Sequence, residues 1–284
     1  MVTKILLEVE YNNGKFPREV LRRAIAQREE IIPELLEILE FTCENAETLA
    51  KEDNYFAHIY ALYLLAQFRE RRAYPLLNNL LNKPAELVDS LLGDMVTEGL
   101  PSILASIYDG DVNLLHKIIG NEEIDGYIRG SALHALVALV AQRRIVREEV
   151  VEYFRELFNG GLEREYSHVW NALVGCSNYL YPEEIIRDIE QAYDEELVDL
   201  GYIEYEEIKN QLARSKDIAL AELYKNRNYQ LIDDTIQELE YWACFYKKEN
   251  NRRLVHSDSL ELDGQLTMFQ DSMERVTQEP DVAK

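Results

Sequence analysis

Apolar residues recur along this chain at the three-and-four spacing of amphipathic helices. No stretch alternates apolar with polar positions between hairpin turns as a strand would. Pro17 stands where a first turn would begin, with Val20, Leu21, Ala24 and Ile25 following at helical spacing. Ile31, Ile32, Leu35, Leu36 and Leu39 set a second helix, where Pro33 is tolerable only in the first turn, whose N–H groups have no intrahelical partner. A charged loop, Glu44 to Asp53, leads to a strongly apolar helix from Tyr55 to Phe68 and a partner from Ala73 through Leu81. Pro84 restarts the chain for a short helix ending at Leu92-Gly93, and Asp94 can cap a helix carrying Met95 to Tyr108. The turn Asp109-Gly110-Asp111 leads into Leu114 to Ile119, closed by Gly120. Ile128 to Ala141 reads as the most buried helix, Glu148 to Phe158 follows it up to Gly160-Gly161, and Tyr166 to Leu180 pairs with Glu183 to Leu197.

Taken in pairs, residues 55–81, 94–119, 128–158 and 166–197 are each helix, short turn, helix. Their spacing of roughly 30–40 residues is that of helical solenoids. Ile128-Arg129-Gly130-Ser131-Ala132-Leu133-His134-Ala135-Leu136 resembles the HEAT-repeat pattern, in which small residues permit close helix approach and the arginine reaches acidic or carbonyl groups of a neighbouring unit. Arg71-Arg72-Ala73-Tyr74-Pro75-Leu76-Leu77 resembles the turn into a second helix of such repeats. The predicted fold is all-α: a HEAT-like α-solenoid of stacked helix pairs with a helical C-terminal cap. Its expected organisation is an N-terminal segment at 1–15, the repeats at 16–200, an acidic cap at 201–249 and a disordered tail at 250–284. Within the cap, helices are predicted near Ile208 to Tyr224 and Leu231 to Phe245.

Charge narrows the possible partners. The chain has 53 acidic against 30 basic residues, a formal charge of −23, and residues 190–240 alone carry 14 Asp or Glu against 5 Lys or Arg. Such a field repels nucleic acid and anionic membrane surfaces and leaves basic or amphipathic protein partners open. Arg18, Arg22, Arg23 and Arg28, and Arg69, Arg71 and Arg72, cluster locally, but with so much acid nearby the expectation is ion pairing within the chain. Cys43, Cys176 and Cys244 lie far apart, form no CxxC, and read as small apolar core residues in a reducing compartment. The longest apolar stretch, Ala132 to Ala141, is far short of the ~20 residues that cross a bilayer, and Glu8 and Glu10 break the N-terminal apolar cluster. A cytoplasmic protein without cofactors is expected.

Few constellations suggest chemistry. Asp94 and Glu98, one helical turn apart, can share a face with Asp109 and Asp111; paired carboxylates can hold a divalent cation or exchange protons. The plainer reading is an N-cap plus a first-turn glutamate complementing the helix dipole. Glu165 and His168 form half of the Glu-x-x-His pattern of di-iron bundles, but no second Glu-x-x-His accompanies them. His58, His116 and His134 lie in apolar helices, as satisfied interior or edge histidines do. In the tail, Gln265-Leu266-Thr267-Met268-Phe269 resembles the Gln-Leu-x-Leu-Phe peptide with which bacterial proteins dock on the replicative sliding clamp. Gln265 would reach polar groups there, while Leu266, Met268 and Phe269 would supply the apolar contacts.

From Phe16 to about Tyr205 the chain resembles a bacterial family catalogued as domain of unknown function 1186. The stretches that carry this are Phe16-Pro17-Arg18-Glu19-Val20-Leu21, Glu29-Glu30-Ile31-Ile32-Pro33, Gly93-Asp94 and, most specifically, Tyr63-Leu64-Leu65-Ala66-Gln67-Phe68-Arg69-Glu70-Arg71-Arg72-Ala73-Tyr74-Pro75. The resemblance implies HEAT-like helical repeats and no mechanism. Many relatives end in a cysteine-rich, zinc-binding SEC-C motif, whereas this chain ends in an acidic tail without those cysteines. The expected function is a non-enzymatic scaffold whose curved face receives a protein or peptide. The alternatives are a sliding-clamp accessory factor acting through residues 265–269, and an enzyme of unknown substrate on a HEAT-like fold.

Overall fold

The computed structural model describes residues 5–52 and 54–245. Among them the chain is all-α, its only β feature an isolated bridge between Tyr11 and Tyr55. The chain up to Tyr241 forms one compact unit; Trp242 to Phe245 belong to a second, with a 3-10 turn at Ala243–Phe245.

After a 3-10 turn at Ile5–Val9 come α1 (Arg18–Ala26), α2 (Arg28–Glu44) and the single-turn α3 (Ala46–Leu49). Next are α4 (Ala57–Phe68) and α5 (Ala73–Leu81), then α6 (Ala85–Leu92) and the short α7 (Met95–Glu98). Three pairs follow: α8 (Leu100–Ile107) with α9 (Asn113–Gly120), α10 (Gly126–Ala141) with α11 (Arg147–Glu156), and α12 (His168–Tyr179) with α13 (Ile186–Asp194). The chain continues through α14 (Tyr205–Leu212), α15 (Lys216–Leu223) and α16 (Thr235–Leu239).

First helices pack on first helices in chain order: α4 on α8, α8 on α10, α10 on α12, and α12 on α14. Second helices form a row beside them. Here α5 touches α9, His116 of α9 stacks on Tyr153 of α11 at 3.6 Å, and Arg155 of α11 donates to the Glu184 carbonyl ahead of α13. This order of stacked pairs fits a solenoid. In the first row, α4 is buried from Ala57 through Ala66, and α10 is buried from Ile128 to Ala141 except at His134. Helices apolar on all sides must be covered on all sides. The second row supplies one cover; the other is the segment described in the next subsection.

Two buried arginines tie units together. Arg129, 2 % exposed, donates to the Ile119 carbonyl at 2.7 Å and in bidentate fashion to the Glu163 carboxylate at 2.6 and 2.8 Å. That is the inter-unit role its place in the repeat pattern implied. Arg147 does the same with the Leu180 and Tyr181 carbonyls and with Glu184. Hydrogen bonds from Arg147, and then from Lys216, hold the Glu184 carboxyl down at about 2. The arginines at 18, 22, 23, 69 and 72 also pair with carboxylates.

Element boundaries differ from the sequence expectation for local reasons. α2 starts at Arg28, so Pro33 lies past its first turn. The helix expected over Met95 to Tyr108 is broken at Gly99, because Pro101 offers no N–H to continue the ladder. Gly99 also packs on Tyr63, where an added Cβ would lie 2.1 Å from the hydroxyl oxygen. The Asp94 side chain makes no capping hydrogen bond. The helix expected from Ile208 to Tyr224 is divided at Ala213–Ser215 into α14 and α15, and that expected from Leu231 to Phe245 is α-helical only in α16, with a 3-10 turn at its end. α12 begins at His168, leaving Glu165 outside it. Of the cysteines read as core, only Cys176 is fully buried; Cys43 is half-buried and Cys244 exposed.

Candidate functional site: a strap across the first-helix row

Beyond α15 the chain turns back along the row it has just built. A 3-10 turn at Arg227–Tyr229 is opened by Asn226, whose side chain accepts from the Asn228 N–H. The chain then runs without helical hydrogen bonds to Asp234, which caps α16 by accepting from the Ile236 and Gln237 N–H groups at 2.9 and 3.2 Å. This strap crosses the helices in reverse order. Tyr229 meets Tyr179 of α12 edge-to-face, and its hydroxyl lies 2.9 Å from Nδ1 of His134 on α10. Gln142, just past α10, donates to the Tyr229 carbonyl at 3.0 Å. The Ile232 N–H donates to Ser106 Oγ of α8 at 2.9 Å, while Arg69, just past α4, donates to the Ile232 carbonyl at 2.5 Å and pairs with Asp233. The Thr235 N–H donates to Gln67 of α4 at 2.9 Å, and Glu240 pairs with Arg18 of α1. Tyr229, Ile232, Thr235 and Leu239 are all buried.

Beneath the strap lies a cavity of about 460 Å³, with Glu98, His134, Tyr179, Arg227 and Glu238 among its lining residues. Burial, and secondarily the charge on His168, drops the His134 imidazole to about 4, so at neutral pH it is uncharged. Burial, then Asp234 and Asp233, raises the Glu238 carboxyl above the ordinary range. Burial and the charges of Glu238 and Glu98 push the Tyr63 phenol up as well. A neutral imidazole, two carboxylates and phenols make this a polar chamber able to hold a small polar molecule or water.

The four carboxylates Asp94, Glu98, Asp109 and Asp111 are distributed over different surroundings. Glu98 faces the strap cavity, whereas Asp94 lines a separate cavity with Asp89 and Asp125. Asp109 and Asp111 build their own turn: Asp109 accepts from the Asp111 N–H, and Asp111 from the Asn113 N–H, with Gly110 at φ 110° between them. No group of three or more His, Cys, Asp or Glu able to hold a metal ion occurs among the described residues. His168 stacks on Tyr127 at 3.9 Å and fills the space that Gly130 leaves between α10 and α12. His58 places Nε2 2.5 Å from the Leu91 carbonyl, and burial lowers its imidazole to about 4. Gln265, Leu266, Met268 and Phe269 lie outside the described residues.

The model for a family described as "Protein of unknown function (DUF1186)" matches residues 1–246. The chain belongs to this family. Relatives of the DUF1186 chain include an uncharacterized protein of Chlamydia muridarum (strain MoPn / Nigg), 37% identical over 242 residues, which are 85% of this chain and 96% of the relative. An uncharacterized protein of Chlamydia trachomatis serovar D is also 37% identical over 242 residues, covering 85% of this chain and 95% of its own. No solved structure matches. The family match runs past the end expected near Tyr205 and takes in every residue of the strap.

Sequence reading missed the strap and Arg147. Arg147 stands at the start of α11, where no repeat pattern marks it; the available signal was its spacing to Glu184, close to that between Arg129 and Glu163. The strap's buried apolar residues, Tyr229, Ile232 and Leu239, stand three and seven apart, a spacing that reads as one face of a cap helix, whereas only Thr235–Leu239 is α-helical and the chain between it and Tyr229 is extended along the row.

Proposed function

We propose that this DUF1186 protein is a non-enzymatic interaction scaffold acting in the cytoplasm, a braced helical stack that presents grooves to a protein or peptide partner. The observation that carries the reading is the set of large apolar side chains held in solvent at its grooves: Leu7 and Phe41 on one, Tyr166 and Leu200 on another, exposed by 60%, 49%, 59% and 64%. Clustered exposed apolar residues on a rigid frame characterise interaction surfaces. The face made by the first helices is held by the chain's own strap, so these grooves are better placed for a partner. A photo-crosslinking residue at position 41 or 200 is expected to trap discrete protein adducts in cells. Identical background labelling from a control at exposed Glu122 would defeat the scaffold reading.

The cavity under the strap motivates a second reading, an enzyme of unknown substrate, with Glu98, His134 and Glu238 as the groups to alter. Turnover by the purified protein that disappears in Glu98→Gln would establish it. Clamp docking through residues 265–269 is a separate proposal from sequence, tested by titrating a tail peptide against the sliding clamp and looking for saturation at micromolar concentration.

A further inference from the structure

We infer that the groove between α13 and α14 is the docking site for a basic, amphipathic segment of a protein partner. The inference rests on the scaffold reading and names the surface and the partner's chemistry. The groove encloses about 660 Å³, and Tyr166, Tyr193, Leu200 and Tyr205 give it an apolar and aromatic lining. Leu200 and Tyr166 are among the most exposed large apolar residues of the described chain. Their exposure is not that of a loose loop. The Asp199 N–H donates to buried Asn171 at 2.8 Å, and the Tyr193 hydroxyl donates to the Ile203 carbonyl at 3.0 Å. Glu204 and Glu207 open α14 with a reciprocal capping box. A frame braced at both ends holds Leu200 in water.

The rim supplies the charge. Glu190, Asp194, Glu196 and Asp199 all line the groove, and none forms an ion pair with a cation among the described residues. Their neighbours differ: Glu195 pairs with Arg164, and Glu206 with Lys209. Negative charge is therefore paired with cations just outside the groove. On the rim Glu190 accepts from the Tyr205 hydroxyl at 2.5 Å and Asp199 from the Gly201 N–H at 2.8 Å, neutral donors that leave both charges in place, in a chain already at −23. Phosphate backbones and anionic lipid are repelled by such a rim. A segment bearing Lys or Arg along one side and Leu-like residues along the other would satisfy both rim and lining. The tyrosines suit the same occupant, because a cation can rest on a phenol face, as Lys209 already does over Tyr205 at 5.4 Å.

The test uses the full chain and a fluorescent amphipathic helical peptide with Lys on one face and Leu on the other, against its Glu-for-Lys counterpart. The Lys peptide should bind saturably and the Glu peptide should not. Glu190→Gln with Asp194→Asn should weaken binding about tenfold, and Leu200→Ser should weaken it at constant net charge. Glu47→Gln with Glu122→Gln, the same charge change at exposed sites outside the groove, should alter it less than about twofold. Circular dichroism melts confirm that each variant folds. Equal losses from the two double variants would reduce the effect to the protein's overall field and overturn the proposal, as would an unchanged affinity in Leu200→Ser. Crosslinking that succeeds at position 41 and fails at 200 would sink this groove while leaving the scaffold reading intact.

Discussion

Arg147 concentrates much of the polar cohesion of the stack in one side chain. It is buried and satisfies two backbone carbonyls left open at the end of α12 together with the Glu184 carboxylate. Replacing it with alanine strands the Leu180 and Tyr181 carbonyls and takes the bidentate partner from Glu184. Glu184 keeps Lys216 and is a third exposed, so the expected loss sits at the low end of the ~3–5 kcal/mol typical of a broken buried pair. Denaturant melts would measure it. The pH dependence has a definite sign. Glu184 titrates near 2 when folded and at about 4.3 in an unfolded chain, so its contribution is complete above the unfolded value and disappears as pH falls through the folded one. Arg147→Ala should therefore flatten the stability profile between about pH 4 and 2. His58 works in a higher window. Its folded imidazole titrates near 4 against about 6.5 unfolded, so stability is full above the unfolded value and falls as acid approaches the folded one. His58→Leu should remove that part of the slope; an unchanged slope from urea midpoints at stepped pH would refute the assignment.

Several helices end in a way that composition conceals. Past α4, α10 and α13 the chain enters the left-handed region at Arg69, Arg143 and Glu196, with φ of 58°, 55° and 56°. In each case the next N–H returns to a carbonyl five residues back: Glu70 to Leu65, Arg144 to Leu139, Leu197 to Ala192. Glycine is the usual occupant, so reading the sequence for glycine stops finds none of these ends. Glu196→Gly should stabilise the protein by about 1 kcal/mol, since the left-handed Cβ penalty vanishes. Gly99 has the opposite constraint. Gly99→Ala must displace Tyr63 from the α7–α8 break and should cost ~1–3 kcal/mol in thermal melts. The same contrast explains how much was legible beforehand. The long apolar runs of α4, α10 and α12 announce themselves, and Arg129 does so through its repeat pattern. Breaks imposed by Gly99 and Pro101, and an Asp94 that caps nothing, follow from what packs against them, which spacing along the chain does not encode. The carboxylates grouped by spacing separated for that reason, while the groove of Tyr166 and Leu200 brought together residues from segments with no shared period.

Across the entire stack, the strap decides how the repeats are closed. A solenoid of helix pairs would leave the first-helix row open, and an acidic terminal region reads naturally as a cap at one end. Here α14 and α15 continue from α12, but residues 226–240 then run back past α12, α10, α8 and α4 to α1. The strap thereby joins parts of the chain up to 222 residues apart, at Arg18 and Glu240. Burial of Tyr229, Ile232 and Leu239 alone is worth about 1.5–3 kcal/mol each, a sum comparable with the ~5–15 kcal/mol net stability of a whole domain. A chain ended after Lys225 should therefore lose its cooperative transition. One ended after Tyr246 retains every contact named here and should keep a cooperative transition. Ile232→Asp divides the two cases, because it places a charge against α8 without removing any of the strap. It should speed amide exchange in α4, α8 and α10 together, since one cover lies over all three. If exchange quickens only beside position 232, the strap is a string of independent contacts and the helices beneath it are held by their own packing.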